Sequence, residues 1–185
     1  MDRRQRWQRP LLRIRRSEND VAACKAAAES RTHLGLTGHL VTITSAAENE
    51  FVFGLLPTAQ YSVGAWIGLT DDEAFGGIES FSQANPQIDG WVWVTGEPLT
   101  FTDWGSFTNS IGQFVQEPNN SGNEDYVVLH AFSGPIEWND APAHHEPPFI
   151  VEYEAAPVPE PATLAMFGAG AIGFIGAALR RRKIR

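Results

Sequence analysis

The sequence predicts one mixed domain of helices and strands, followed by a C-terminal membrane-spanning helix. Three observations carry this. The chain has 185 residues, 43% of them hydrophobic and 19% charged, which is enough to bury one core but not two. Helix-favouring and strand-like segments are interleaved along residues 17–154. Leu164 to Leu179 is uncharged, apolar or small throughout, and runs straight into Arg180, Arg181, Arg182 and Lys183.

Taken in order, Val21 to Ser30 is alanine-rich and favours helix, while Leu40 to Thr44 alternates as a short strand. Ser45-Ala46-Ala47-Glu48 reads as a capping box, in which hydroxyl and carboxylate satisfy opposite free amides at a helix start. That helix should reach about Leu56, where Pro57 stops it. Ala65 to Leu69, Gly90 to Val94, Asp125 to Ala131 and Phe149 to Tyr153 read as strands. Thr95 to Glu124, mostly Gly, Pro, Asn, Ser and Thr, predicts a long loop, and such loops are usually functional or disordered.

Charge is strongly segregated. Residues 32–179 hold 18 of the 22 acids and no lysine or arginine; the basic residues sit at the two ends. A body this acidic repels nucleic acid and anionic lipid and attracts divalent cations, although solubility alone is the plainer account. The single cysteine, Cys24, cannot close an intrachain disulfide, so packing, hydrogen bonds or a bound ion must hold the fold.

Two clusters of oxygen donors stand out: Glu117-Pro118-Asn119-Asn120-Ser121-Gly122-Asn123-Glu124-Asp125, and Trp138-Asn139-Asp140. Calcium takes six to eight oxygens from carboxylates, amides and backbone carbonyls. Glu117, Asn119, Glu124, Asn139 and Asp140 offer five such side chains. Isolated loop residues such as Asn123 and Glu97 read as solvated turn positions. Trp66, Trp91, Trp93, Trp104 and Trp138 fit either a sugar-stacking platform or the core, and their apolar, strand-like neighbours favour the core. His130 and the His144-His145-Glu146 run lack a third ligand at a recognisable spacing. No nucleophile elbow, phosphate loop or Cys-His pair is present, so no enzyme is expected.

Gly38-His39-Leu40-Val41-Thr42-Ile43, Trp66-Ile67-Gly68-Leu69, Trp93 to Leu99, Glu117-Pro118-Asn119 and Trp138-Asn139-Asp140 occur in the order found in C-type lectin domains. Residues 18–154 resemble that family. The resemblance implies an α+β C-type lectin-like fold, two helices flanking short antiparallel sheets with a long calcium-binding loop, and a cis Glu117-Pro118 bond. It implies that Glu117, Asn119, Glu124, Asn139 and Asp140 hold Ca2+. Glu117, Asn119, Glu124 and Asn139 then also hydrogen-bond a sugar of the mannose, fucose or N-acetylglucosamine type. A second calcium site maps onto Asp71, Asn120 and Asp125, with Phe75 where an acid is expected and Asp72 or Glu73 as substitutes. The family's disulfide positions carry Tyr126 and Val151 here, the latter opposite Cys24 if that cysteine keeps its family place. A non-sugar-binding structural or protein-interaction module of the extracellular matrix is the alternative reading.

Val158-Pro159-Glu160-Pro161, then an apolar helix, then an arginine cluster, resembles the PEP-CTERM sorting signal. It implies export, a transient inner-membrane anchor, and removal of the tail by an exosortase. The expected organisation is therefore a basic segment 1–16, a lectin-like domain 17–154, a Pro-rich linker 155–162, a transmembrane helix 163–179 and a basic tail 180–185. The expected partners are a glycan or exopolysaccharide, the exosortase and the membrane, with no nucleic acid. Residues 1–16, with seven arginines and no apolar run, carry no signal peptide. Nothing there reads as the first strand that the resemblance requires, so a truncated or misread start is expected.

Overall fold

The computed structural model describes residues 11–15, 21–60, 63–80, 84–131 and 135–153. The expected linker, transmembrane helix and basic tail lie outside the described residues. No helix among those described is long and apolar enough to cross a membrane.

The described elements are β1 (Leu11–Arg15), α1 (Val21–Glu29), β2 (Thr32–His33), β3 (Leu36–Leu40), α2 (Ala46–Phe53), β4 (Ala65–Thr70), β5 (Val92–Trp93), β6 (Ser106–Thr108), β7 (Phe114–Gln116), β8 (Tyr126–His130), β9 (Glu137–Ala141) and β10 (Phe149–Tyr153). The main sheet runs β2-β3-β10-β4-β8-β9, with β1 added on β10 and β5 on β4; β6 and β7 form a separate hairpin. Its described pairings are antiparallel except the single Phe149–Trp66 step between β10 and β4. This is the α+β arrangement that the sequence predicts.

Helix α1 turns Val21, Cys24 and Ala28 inward, a spacing of three and four residues that lines one helical face. Ser45 caps α2 as expected, accepting from the Glu48 amide. The reciprocal bond shifts by one residue, because the Glu48 carboxylate accepts from Thr44 N and Thr44 Oγ1 rather than from Ser45. The expected strand Leu40 to Thr44 ends at Leu40. Leu40 to Ile43 are buried one after another and bond irregularly, Val41 N to the Ile150 carbonyl and Thr42 N to the Glu152 carboxylate, so the expected alternation is replaced by continuous burial without a ladder.

Two further expectations are corrected. The first strand is present: Leu11–Arg15 pairs with all five residues of β10, with Arg13 exposed and Ile14 packed against the core. Arginine density hides a period-two pattern, because a strand with one wet face accepts charge at every second position. Residues 95–124 are not one loop either, since β6 and β7 pair Ser106–Gln116, Phe107–Val115 and Thr108–Phe114.

The core comprises two packed clusters. One gathers Ile43, Val52, Ile67, Leu69, Trp93 and Trp138 between α2 and the sheet. The other gathers Cys24, Tyr126, Ala141 and Val151 with Leu40, Trp66 and Phe149. Side-chain packing thus fills the places where the family resemblance puts disulfides. Trp66, Trp93 and Trp138 are fully buried and Trp91 nearly so, which makes them core and not a sugar platform.

Trp138 ties the layers together. Its Nε1 donates to Asn49 Oδ1 at 2.9 Å, and Asn49 Nδ2 donates to Asp103 Oδ2 at 2.7 Å. Trp93, Phe101 and Trp104 pack edge-on against its ring at 5.6 to 5.9 Å. Trp138→Ala is expected to lower the unfolding free energy by about 3–5 kcal/mol, read as a fall in the urea midpoint. A change under about 1 kcal/mol would refute this central role.

Candidate functional site

Strand β9 carries Asn139 and Asp140 directly after the buried Trp138, in register with Val128 and Val127 of β8. The segment after β7 comes back onto this strand. Gly105 N donates to the Trp138 carbonyl at 2.9 Å and Glu117 N to the Gly105 carbonyl at 2.9 Å, so Glu117 is pinned beside β9. A Cβ on Gly105 would sit 2.6 Å from Glu137 Oε2, so any larger residue would push the Glu137 side chain aside. The Glu117-Pro118 bond is cis, as the resemblance implies.

Asp140, fully buried, organises the rest. Its carboxylate accepts from Asn119 N at 3.0 Å and from Asn120 N at 2.7 Å. Asn119 Nδ2 donates to Glu117 Oε2, and Asn139 Nδ2 donates to the Asp140 carbonyl. Glu124 Oε2 accepts from Ser121 N at 2.7 Å. All five residues of the expected first set, Glu117, Asn119, Glu124, Asn139 and Asp140, therefore meet at one place.

Their electrostatics are unbalanced. Burial, followed by hydrogen bonding to Asp140 and its charge, pushes Glu117 up to about 8. Burial also lifts Glu124 to about 7, against the opposing Ser121 amide and with help from the Asp140 charge. No lysine or arginine is available between residues 32 and 179 to offset these acids.

The second expected set lies alongside. Burial raises Asp71 to about 6, with Glu79 and Asp125 adding to it; Asp71 Oδ2 accepts from Ser80 N at 2.8 Å, while the buried Oδ1 has no hydrogen-bond partner. Asn120 joins the two places: its N–H reaches Asp140, its Nδ2 donates to Glu79 Oε1 at 2.9 Å, and its Oδ1 accepts from Glu124 N at 2.8 Å. Asp125 is raised by burial and by the charges of Asp72 and Glu79.

Asp72 turns its carboxylate to Tyr126 Oη and to Ala74 N, where it caps a short 3-10 turn. Glu79, eight residues after Asp71, takes the place beside Asn120 where Asp72 or Glu73 were expected. The signal for it is Gly76-Gly77: a Cβ on Gly77 would lie 2.3 Å from the Asp71 carbonyl carbon, so only glycine lets residues 77–80 fold back over Asp71. Among the described residues, no three His, Cys, Asp or Glu side chains form a ready metal cluster; both places mix acids with amide and carbonyl oxygens.

Comparison with known proteins accords with this architecture. The Lectin C-type domain family model matches residues 27–152, and the PEP-CTERM protein-sorting motif matches residues 157–183. The chain belongs to the C-type lectin domain family and ends in a PEP-CTERM sorting motif. It is similar to the alpha-N-acetylgalactosamine-specific lectin of Patiria pectinifera, 31% identical over 59% of this chain and 53% of that one, so it spans about half the length of that relative. Human lithostathine shares the fold with a TM-score of 0.55 at 20% identity, over 78% of this chain and 83% of that one. The carbohydrate-recognition domain of cow CD23, solved in the presence of a GlcNAc2Man3 oligosaccharide, does so with a TM-score of 0.54 at 24% identity, over 82% and 92%. The described domain accordingly has the C-type lectin fold.

The raised carboxyls set a pH dependence. A carboxyl whose folded pKa lies above its ordinary value stabilises the fold fully only below that ordinary value, and the contribution is lost as pH rises through the folded pKa. With Asp71 at about 6, Glu124 at about 7 and Glu117 at about 8, the metal-free domain is expected to lose stability steadily from pH 5 to above pH 8. Urea midpoints in chelator that stay level or climb over that range would contradict the sign.

Proposed function

We propose that the chain is a calcium-dependent carbohydrate-binding protein of the mannose, fucose or N-acetylglucosamine type, exported and then sorted through its C-terminal motif. The observation that carries this reading is the convergence of Glu117, Asn119, Glu124, Asn139 and Asp140, with no lysine or arginine paired to them among the described residues. Hard oxygen donors of mixed charge suit Ca2+ better than a softer metal.

These residues fit the ion on their own chemistry. The Asn139 amide already lies against the Asp140 carbonyl, and a half turn of that amide sets two neutral oxygens side by side. Glu117 and Glu124 supply carboxylates on the cavity wall. The unpartnered buried Asp71 Oδ1 would gain a partner from a second ion held with Glu79, Asn120 and Asp125.

Bound calcium would supply coordination positions for two adjacent hydroxyls of a pyranose. Glu117 and Glu124 accept hydrogen bonds from those hydroxyls, and Asn119 and Asn139 donate to them. Asp140, out of reach of solvent, holds the Asn119 and Asn120 amides and so sets where the other groups stand. The Glu117-Pro118-Asn119 order favours mannose-type sugars by resemblance, whereas the Patiria relative is named for N-acetylgalactosamine, so both sugars belong in the test. The PEP-CTERM match supports export, a transient membrane anchor through residues 163–179 and processing by an exosortase.

Calcium is expected to raise the melting temperature, since ligand binding to the folded state alone adds about 2.7 kcal/mol at a hundredfold excess over Kd. Coincident melting curves with calcium and with chelator would refute the ion site. Asn139→Ala should abolish calcium-dependent retention on mannose resin while leaving the melting curve in chelator within about 1 kcal/mol of wild type. Retention of the variant would overturn the ligand assignment. Calcium binding without retention on mannose or N-acetylgalactosamine would favour the structural-module reading.

A further inference from the structure

The β6–β7 hairpin projects from the segment that delivers Glu117, and hydrogen bonds order its tip and its base. At its tip the Asn109 side chain caps the turn, accepting from Ile111 N at 3.2 Å and from Gln113 N at 2.9 Å, while Asn109 N donates to the Gln113 carbonyl. At its base, Gln116 Nε2 donates to the Gly105 carbonyl at 2.7 Å, and Gly105 is itself bound to β9. The hairpin thus has a capped tip and a base bonded to the segment beside β9, and its β6 strand stands as one wall of the space next to it.

That wall encloses a cavity of about 610 Å³ whose opposite side is the candidate sugar site. Phe107 of β6 lines it together with Glu117, Glu124 and Asn139, and His130 and Glu137 extend it beyond them. Pockets that bury drug-sized ligands run from about 300 to 1,000 Å³, the size of a di- or trisaccharide and not of one ring. Phe107 is 48% exposed and is the aromatic ring of the hairpin that lines the cavity, so a flat, weakly polar ligand face can cover it there. The lining contains three glutamates and no lysine or arginine. Burial holds His130 below its ordinary range, so it stays uncharged at neutral pH.

We propose that this cavity is a second sugar subsite, so that the domain binds a neutral oligosaccharide of at least two residues, one ring at the Glu117–Asn139 site and the next against Phe107. The inference rests on the calcium-lectin reading and deepens it. The apolar face of a pyranose matches the exposed Phe107 ring, and its hydroxyls match Glu137 and His130. An anionic glycan is disfavoured at the second subsite, because its charge would meet the Glu137 carboxylate with no lysine or arginine among the described lining residues to offset it.

The test is calorimetry on the full chain in mild detergent and excess calcium. Methyl α-mannoside is titrated against the α1,2-, α1,3- and α1,6-linked mannobioses and a glucuronate-bearing disaccharide. At least one mannobiose should bind about tenfold tighter than the monosaccharide. Phe107→Ala should erase that ratio with monosaccharide Kd unchanged, Phe107→Tyr should keep it, and the glucuronate disaccharide should gain nothing. Calcium-dependent monosaccharide binding with no gain from a second ring, with a gain that survives Phe107→Ala, or with an equal gain for the acidic sugar overturns the subsite alone. Absence of binding to any sugar, or binding indifferent to chelator, overturns the primary-site reading and the subsite with it.

Discussion

The rest of the site depends on the fully buried Asp140 carboxylate. It sits on β9, one residue from the Asn139 amide and two from the Trp138 ring that α2 and the aromatic cluster clamp in place. Because the strand is fixed from below, the carboxylate is fixed too, and the amides of Asn119 and Asn120 must come to it. A buried acid of this kind is costly without donors, so the chain that supplies them is held as firmly as the strand. Glu117 and Glu124 are then held by hydrogen bonds within that segment, and Glu79 meets it through the Asn120 side chain.

This economy leaves an excess of negative groups. Glu117, Glu124 and Asp71 are lifted chiefly by burial and further by neighbouring acids, Asp140 for the two glutamates and Glu79 and Asp125 for Asp71, in a stretch of sequence that holds no lysine or arginine. A protein stabilised by ion pairs would place cations here; this one keeps its cations at its ends. The arrangement makes sense where the missing charge comes from outside, and it couples the stability of the loop to that ligand. The clusters around Cys24 and Val151 show the complementary solution, in which apolar packing replaces covalent links and asks nothing of the solvent.

The hairpin β6–β7 changes what the long connection does. Loops of this length are tolerated cheaply in entropy, but a loop that must present Glu117 at a defined point needs an internal scaffold. Pairing three residues of β6 with three of β7 provides one, and its return to Gly105 beside the Trp138 carbonyl fixes the end that bears the ligand groups. The wall over the cavity is the by-product of that scaffold.

The sequence by itself determined the class, the two helices and the group of Glu117, Asn119, Asn139 and Asp140 that the fold brings together. The Val21, Cys24, Ala28 spacing, the Ser45 cap and the strand runs at Ala65 and Phe149 are local signals, and local signals survive in any tertiary setting. The oxygen-rich tripeptides announced Glu117, Asn119, Asn139 and Asp140 because side-chain chemistry is written residue by residue. What only the tertiary structure decided is everything that depends on a partner distant in the chain. Leu11–Arg15 is a strand because β10 offers an unpaired edge, and residues 106–116 are a hairpin because they pair with each other despite a polar composition. Thr42 to Thr44 fails to continue a strand because the neighbouring bonds go to a side chain. Glu79 joins Asp71 because Gly77 lets the backbone fold onto itself. The β1–β10 pairing and the Thr42–Glu152 bond join residues far apart in the chain, and the β6–β7 and Gly77 contacts, though close in sequence, depend on backbone geometry that a polar composition does not announce.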